Sequence, residues 1–290
     1  MSGPVIVAIA KFEQDYIEEW VLYHLALGFE RIYLYDNEDV PIYSKILKKY
    51  GNKVIHIHIK GNDFSVGVQY VILNHFLNNF VPAHNLKYCL HIDIDEFVAL
   101  KKHRNIQEFI KEYFQPKIAG ISICWRIFGS AGLVKQTDEP VTQRFTRCAP
   151  KGHKLMKTLY DVNLVTGYVC SHNLSPKEGY HIIATNGVIT TEAENENNDI
   201  SVIQINHYHN KTLPEFFYQK TRGRVDVPGG LAGKTYYLEP NSNTYDVNLI
   251  NLYLDKNCND EEDLTAFNFY NSIQYHIMVS QANPQEPTSS

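Results

Sequence analysis

An α/β fold built on a mostly parallel central sheet, flanked by helices, is the architecture this sequence predicts. Three observations carry that expectation. Short apolar runs alternate with amphipathic stretches through the first hundred residues. Glycines and carboxylates punctuate them at the intervals a β-α-β-α-β-α-β order requires. The fourth apolar run, Tyr88-Cys89-Leu90-His91-Ile92-Asp93-Ile94-Asp95-Glu96-Phe97, ends in clustered acids, and the carboxyl end of a strand is where open α/β sheets bind ligands.

Taken in order, Val5-Ile6-Val7-Ala8-Ile9-Ala10 reads as a strand covered on both faces. Asp15-Tyr16-Ile17-Glu18 has the spacing of a capping box with Asp15 as the cap. Ile17, Trp20, Val21 and Leu25 then recur at helical spacing until Gly28. A second strand from Arg31 is stopped by Asp36-Asn37. Ile42, Ile46 and Leu47 mark a short helix closed by Gly51, and a third strand covers 54–59. A longer helix is expected over 66–80, ended by Pro82, before the strand that carries the acids. This order places Lys11, Glu13, Asp36, Asn37 and Asp63 on the same rim as Asp93 and Asp95.

Beyond residue 100 the expected elements are a helix over 106–114 and a strand over 120–125 that runs into a Gly129-Ser130 loop. Residues 141–189 form an irregular β region with a hairpin at Asn186-Gly187. A solvated acidic loop covers 191–199 and a strand 200–205, which leads into Asn206-His207-Tyr208-His209. Thr212 and Glu215 cap a helix carrying Phe216, Phe217 and Lys220, closed by Gly223, before a glycine-bearing basic loop at 224–233. The expected organisation is one unit over 1–235, with halves of about 1–100 and 101–235. A helical C-terminal appendage follows over 236–280, then a disordered polar tail over 281–290.

Three carboxylates in four positions repel one another, and each resists losing water unless something positive sits between them. A hard divalent cation, Mn²⁺ or Mg²⁺, partly neutralised by a phosphate ligand, is the simplest compensator. An Asp-x-Asp alone arises by chance about once in a chain of this size and is often a solvated turn. Its position after three β-α units is what gives it weight. His56 and His58 read as an exposed strand face, and His209 as surface. Trp125 reads as core or as a sugar-stacking ring.

Composition narrows the class. At 290 residues, with 44% hydrophobic and 12% aromatic residues, the chain can bury a large core. A formal net charge of -5 argues against a general nucleic-acid binder. The 5 cysteines are scattered without C-x-x-C spacing and read as reduced thiols. With no apolar run near the ~20 residues of a membrane span and no signal-peptide pattern, a cytoplasmic protein is expected, with any membrane contact peripheral.

With these segments in hand, the chain resembles the metal-dependent GT-A-fold (Rossmann-like) glycosyltransferases of the family 2-like and family 92-like groups. The resemblance rests on Ala10-Lys11-Phe12-Glu13 with Trp20, His24 and Gly28, on Tyr35-Asp36-Asn37, and on Gln69 with Asn74-His75. It continues through Asp93-Ile94-Asp95-Glu96 and Trp125 with Gly129-Ser130, then His207-Tyr208 with Glu215, Lys220 and Arg222-Gly223. It implies a UDP-sugar donor and a glycan, glycoprotein or glycolipid acceptor, with inversion at the transferred carbon. It further implies that Asp95 binds the metal and Asp93 the ribose, sugar or metal, with His207 completing the shell. Asp36, Asn37, Gln69 and the 10–13 segment (Ala10, Lys11, Glu13) would meet the nucleoside. Lys220, Arg222 or Arg224 would steady the departing diphosphate, and His172, Glu178 or Asp161 would serve as general base. A haloacid-dehalogenase-type phosphatase would carry its aspartates on the first core strand, and a pyrophosphorylase would need a Gly-rich loop in place of Lys11-Phe12-Glu13. A non-catalytic binding module on the same scaffold is the remaining alternative.

Overall fold

The computed structural model describes residues 3–61, 66–170, 172–190, 194, 198–221 and 247–282. Its first half follows the expected alternation: β1 (Val5–Ala10), α1 (Ile17–Ala26), β2 (Arg31–Asp36), α2 (Ser44–Leu47), β3 (Val54–His58), α3 (Val68–His75), α4 (Val81–His84) and β4 (Tyr88–His91). Every residue of β1 is buried, and its alternate side chains feed two cores. Ile6, Ala8 and Ala10 join Trp20, Tyr23 and Phe97 on one face of the sheet. Val5, Val7 and Ile9 join Val68, Ile72 and Phe76 on the other. This double burial is why the run shows no polar alternation.

β5 (Glu96–Leu100), α5 (Ile106–Tyr113), β6 (Ile118–Ile127), α6 (Val141–Arg144), β7 (Arg147–Cys148) and β8 (Met156–Asp161) follow. Next come β9 (Val165–Cys170), β10 (Asn173–Pro176), β11 (His181–Ala184), β12 (Ile203–His207) and α7 (Leu213–Thr221), and then α8 (Val247–Lys256), β13 (Glu261–Glu262) and α9 (Thr265–Ala282). The central sheet runs β3-β2-β1-β4-β8-β6-β12-β5, with β11 also on β6. β3, β2, β1 and β4 are mutually parallel. β8 enters antiparallel between β4 and β6, while β12 is parallel to β6 and antiparallel to β5. The architecture is therefore α/β with a mixed sheet: a parallel nucleus extended by antiparallel insertions.

Several local expectations are corrected. Residues 88–97 are not one strand. β4 stops at His91, and the chain turns through Ile92–Asp95, where Glu96 N–H donates to the Asp93 carbonyl at 3.1 Å. The chain then leaves as β5 for the far edge of the sheet. Asp15 does not cap α1: Tyr16 is the N-cap residue, without a side-chain hydrogen bond, and Asp15 accepts from Gln136. Pro82 does not end its helix. A wider turn at Phe76–Phe80 separates α3 from α4, Pro82 sits in the first turn of α4 where its missing N–H costs little, and left-handed Asn85 stops the chain. Gln281 and Ala282 still belong to α9, and the rest of the expected tail lies outside the described residues. Other expectations hold. Gly28 follows α1 at φ +105°, α5 occupies most of the expected 106–114 helix, and Gly187 turns the 184–188 hairpin at φ +82°.

The segment after Val247 joins the main core. Ala266, Tyr270 and Ile273 of α9 pack with the residues of α1 and β5, and β13 pairs with β7. Asn257 and Asn259 accept from the backbone N–H groups of Ser130 and Ala131, each at 2.7 Å. The Ser130 and Ala131 amides are thus held by the C-terminal segment, and the Gly129 N–H donates to the Arg147 carbonyl at 3.0 Å, rather than being turned to a sugar. Gly129 is required there, because a Cβ would overlap the Cys258 carbonyl and the Asn259 side chain. Gly129→Ala is expected to cost about 1–3 kcal/mol, read as a lowered urea midpoint with unchanged m. Among the described residues, no helix is long and apolar enough to cross a membrane.

Candidate active site

Sheet register brings the site together. The carboxyl ends of β1, β2 and β4 lie on one rim. Antiparallel β8 delivers its first residues there, because Leu90 sits opposite Leu159 and Cys124 opposite Met156. β12 delivers His207 opposite Ile127 of β6 and opposite Glu96 of β5. Asp93, Asp95, Glu96, Trp125, Lys157 and His207 converge from four separate stretches of chain.

Asp95 is buried. Its Oδ2 accepts from Gln219 Nε2 of α7 at 2.9 Å, and its Oδ1 lies 3.7 Å from His207 Nε2. Two donors about 2.1 Å from a common ion and 90–120° apart are separated by about 3.0–3.7 Å, so Asp95 and His207 suit neighbouring positions on Mn²⁺ or Mg²⁺. His207 Nδ1 and Glu96 Oε1 are buried without a hydrogen-bond partner. Asp93, expected at the ribose, the sugar or the metal, engages Lys157: Lys157 Nζ is 3.0 Å from Asp93 Oδ2 and 3.6 Å from Glu96 Oε2. Among the described residues, no group of three His, Cys, Asp or Glu side chains forms a metal cage. The fit is therefore to a two-residue anchor, Asp95 with His207, which leaves the remaining positions to ligand oxygens.

Electrostatics follow from burial. Desolvation would raise the Asp93 carboxyl, but Lys157, and then His91, outweigh it and hold its pKa below the usual value. Glu96 has no such margin, and burial pushes its carboxyl well up. For Lys157 burial favours the neutral amine, yet Asp93 and Glu96 prevail and the ammonium is retained. His91 is pushed down to about 3, first by burial and then by Lys157.

His172 lies beside this cluster, its ring edge-on to Trp125 at 5.1 Å, while Trp125 sits 4.3 Å from His207. His172 Nδ1 is 2.8 Å from the Met156 carbonyl, which can only accept, so Nδ1 carries the proton and Nε2 keeps a lone pair. Burial lowers its pKa. Glu178 and Asp161 are elsewhere. Glu178 is exposed in the turn before β11, whose start pairs with Ile118, seven residues and about 23 Å along β6 from Trp125. Asp161 lies opposite Tyr88, at the amino end of β4. Neither can reach the acids.

Of the expected nucleoside contacts, Ala10 ends β1 and its carbonyl accepts from Asn37 N–H. Phe12 turns the chain at φ +59°, donates from its N–H to Glu38, and stacks on Tyr218 of α7 at 5.5 Å. Lys11 reaches over the Phe12 ring, and Glu13 is buried with its N–H donating to Tyr43 Oη. Asp36 is fully buried and accepts from Glu38 N–H, Ile42 N–H and His56 Nε2, so its carboxylate braces the loop rather than facing a ligand. Asn37 Oδ1 and Gln69 Oε1 are buried without partners. Lys220 Nζ lies 3.0 Å from Nε2 of His209, which is half-buried against Phe216 rather than surface. Asp63, Arg222, Gly223 and Arg224 lie outside the described residues. Lys157, Gln219 and Glu38 carry the site without having been singled out from sequence. A cavity of about 540 Å³ lined by Lys101, Arg126, Lys151 and Glu261 is separate from this rim. Asp263 and Glu261 already engage its arginine.

Comparison with known proteins identifies the family of the chain. A family 92 glycosyltransferase protein of Oryza sativa subsp. japonica is 23% identical over 229 residues, spanning 76% of this chain and 35% of that protein. A family 92 protein of Ricinus communis is 25% identical over 231 residues, spanning 76% and 37%. The chain thus spans little more than a third of the length of these relatives. A crystal structure of S. aureus TarS residues 1–349 is similar at 16% identity and a TM-score of 0.38, covering 76% of this chain and 63% of that one. Residues 4–225, which contain every side chain of the rim just described, match the family described as glycosyltransferase family 92. With three-quarters of its length inside that match, the chain belongs to glycosyltransferase family 92.

Proposed function

We infer that this chain is a metal-dependent glycosyltransferase that moves a hexose-type sugar from a UDP-sugar to a hydroxyl of a glycan, glycoprotein or glycolipid, with inversion. The observation that carries this reading is the meeting of Asp95 and His207 at 3.7 Å, from positions 112 residues apart, on the rim where the diphosphate of a nucleotide sugar would lie. In this reading Asp95 and His207 hold Mn²⁺ or Mg²⁺, which when bound offsets charge growing on the departing diphosphate. Gln219 fixes the Asp95 carboxylate, and Asn37, Gln69 and the 10–13 segment meet the nucleoside. The acceptor oxygen attacks the anomeric carbon as the bond to the diphosphate breaks, and His172 Nε2 receives the hydroxyl proton. Lys220, in the last turn of α7, and Arg222, which follows it in sequence, add positive charge for the leaving group.

Thermal-shift measurements with nucleotide sugars test this. A UDP-sugar with Mn²⁺ at about a hundred times its Kd is expected to raise Tm by roughly 5 °C or more, and the same sugar without metal by far less. Equal stabilisation with and without metal would overturn the reading.

A further inference from the structure

Lys157 was not needed to assemble an Asp95–His207 anchor, yet it is the most unusual group on the rim. It lies on β8, is 1% exposed, and contacts Asp93 at 3.0 Å and Glu96 at 3.6 Å, with the Trp125 ring 5.8 Å away. Buried lysines are costly unless paired, and this one is paired inside the acidic turn itself. Asp93 keeps 29% of its side chain exposed while one oxygen is held, so it still faces the site. Asp95, two residues on, is held by a neutral amide and faces a histidine. Lys157 also acts on Asp95, but Asp93 is the aspartate it contacts, so the two aspartates of one motif have different immediate partners.

We propose that Lys157 is a positioning residue that keeps Asp93 out of the metal shell and presents it to a hydroxyl of the donor, so that the metal is held by Asp95 and His207. The proposal rests on the metal-dependent donor reading above. Its physical basis is competition: a carboxylate already neutralised by a fixed ammonium is a poor ligand for a second cation, but it remains a good acceptor for a neutral O–H. A fixed ammonium beside the site also lowers the affinity for free metal, so the ion arrives with its diphosphate rather than ahead of it.

Mn²⁺ binding followed by electron paramagnetic resonance, with and without UDP, separates the roles without measuring activity. Asp93→Asn is expected to leave the Mn²⁺ Kd in the presence of UDP within about threefold of wild type, whereas Asp95→Ala weakens it by roughly 100-fold. Lys157→Met frees Asp93 and is expected to tighten Mn²⁺ binding without UDP by about tenfold. Lys157→Arg, which keeps the charge, restores weak binding. If Lys157→Met does not fold, the Asp93→Asn/Lys157→Met pair, which removes both charges, carries the test, with Mn²⁺ affinity expected near wild type. In donor hydrolysis, Asp93→Asn raises KM for the UDP-sugar and leaves the Mn²⁺ requirement unchanged. Loss of Mn²⁺ by Asp93→Asn as large as that by Asp95→Ala, or no tightening in Lys157→Met, overturns the assignment of Lys157 alone. Failure of the wild-type protein to bind Mn²⁺ with UDP overturns the metal-dependent reading and this inference with it.

Discussion

Asp95→Ala is expected to lower Mn²⁺-dependent release of UDP from a UDP-sugar by about 10³-fold or more, the loss of roughly 4 kcal/mol of charge stabilisation at the leaving group. His207→Ala should fall in the same range, because the two side chains form one anchor 3.7 Å across. Gln219→Ala gives the graded control. Its amide only orients Asp95 Oδ2 at 2.9 Å, so a loss of about tenfold is expected, at the lower end for a residue that supports a ligand. Steady-state kinetics at several Mn²⁺ concentrations check all three. If Asp95→Ala retained wild-type turnover, the rim would not be the reaction centre.

Glu215→Ala is expected to destabilise the chain by about 3–5 kcal/mol, the cost of breaking a buried ion pair on one side only. Its two oxygens accept from Arg144 Nη2 at 2.8 Å and Nη1 at 3.0 Å, from Tyr16 Oη at 2.8 Å, and from Thr212 Oγ1 and N–H. The last contacts complete the capping box at the start of α7. One carboxylate thus ties α1, α6 and α7 together and seats the helix that carries Gln219. A Tm drop of roughly 10 °C is expected, with Arg144→Met/Glu215→Gln losing less than either single change. The pH dependence has a fixed sign. Burial raises the Glu215 pKa, but the hydrogen bonds and charge of Arg144, with Thr212 and Tyr16, outweigh it, so the folded value lies below 4.5. The stabilisation is therefore fully present above pH 4.5 and is lost as pH falls through the folded value. Wild type should show this acid loss and Glu215→Gln should not; parallel profiles would contradict the assignment.

The nucleotide half of the fold was legible because its elements are signalled locally: β1 by an unbroken apolar run, α1 by its stop at Gly28. Asp93 and Asp95 stand out in the sequence as polar residues at the end of an apolar run, whereas His207 is pointed to by the family resemblance. What escaped depends on distant register. All six residues of β8 are buried, so Met156-Lys157-Thr158-Leu159 shows no alternation, and its lysine acquires meaning only beside Asp93, 64 positions away. Gln219 is one polar residue on a helix until α7 is folded over Asp95. The reversal after His91 has no glycine or proline to announce it. It is closed by the acids themselves, Asp93 N–H donating to Glu96 Oε2 at 3.1 Å, which is why 88–97 reads as a single strand. Glu178 and Asp161 were placed by chain order, and β11 and β8 carry them to the opposite end of the sheet.

The most direct test is a crystal grown with UDP and MnCl₂, with diffraction recorded on both sides of the manganese absorption edge. An anomalous peak about 2.0–2.3 Å from Asp95 Oδ1 and His207 Nε2 and bridged to the diphosphate, with Asp93 still on Lys157, is the predicted result. UDP bound on the rim without such a peak, or a peak away from Asp95 and His207, would contradict the account.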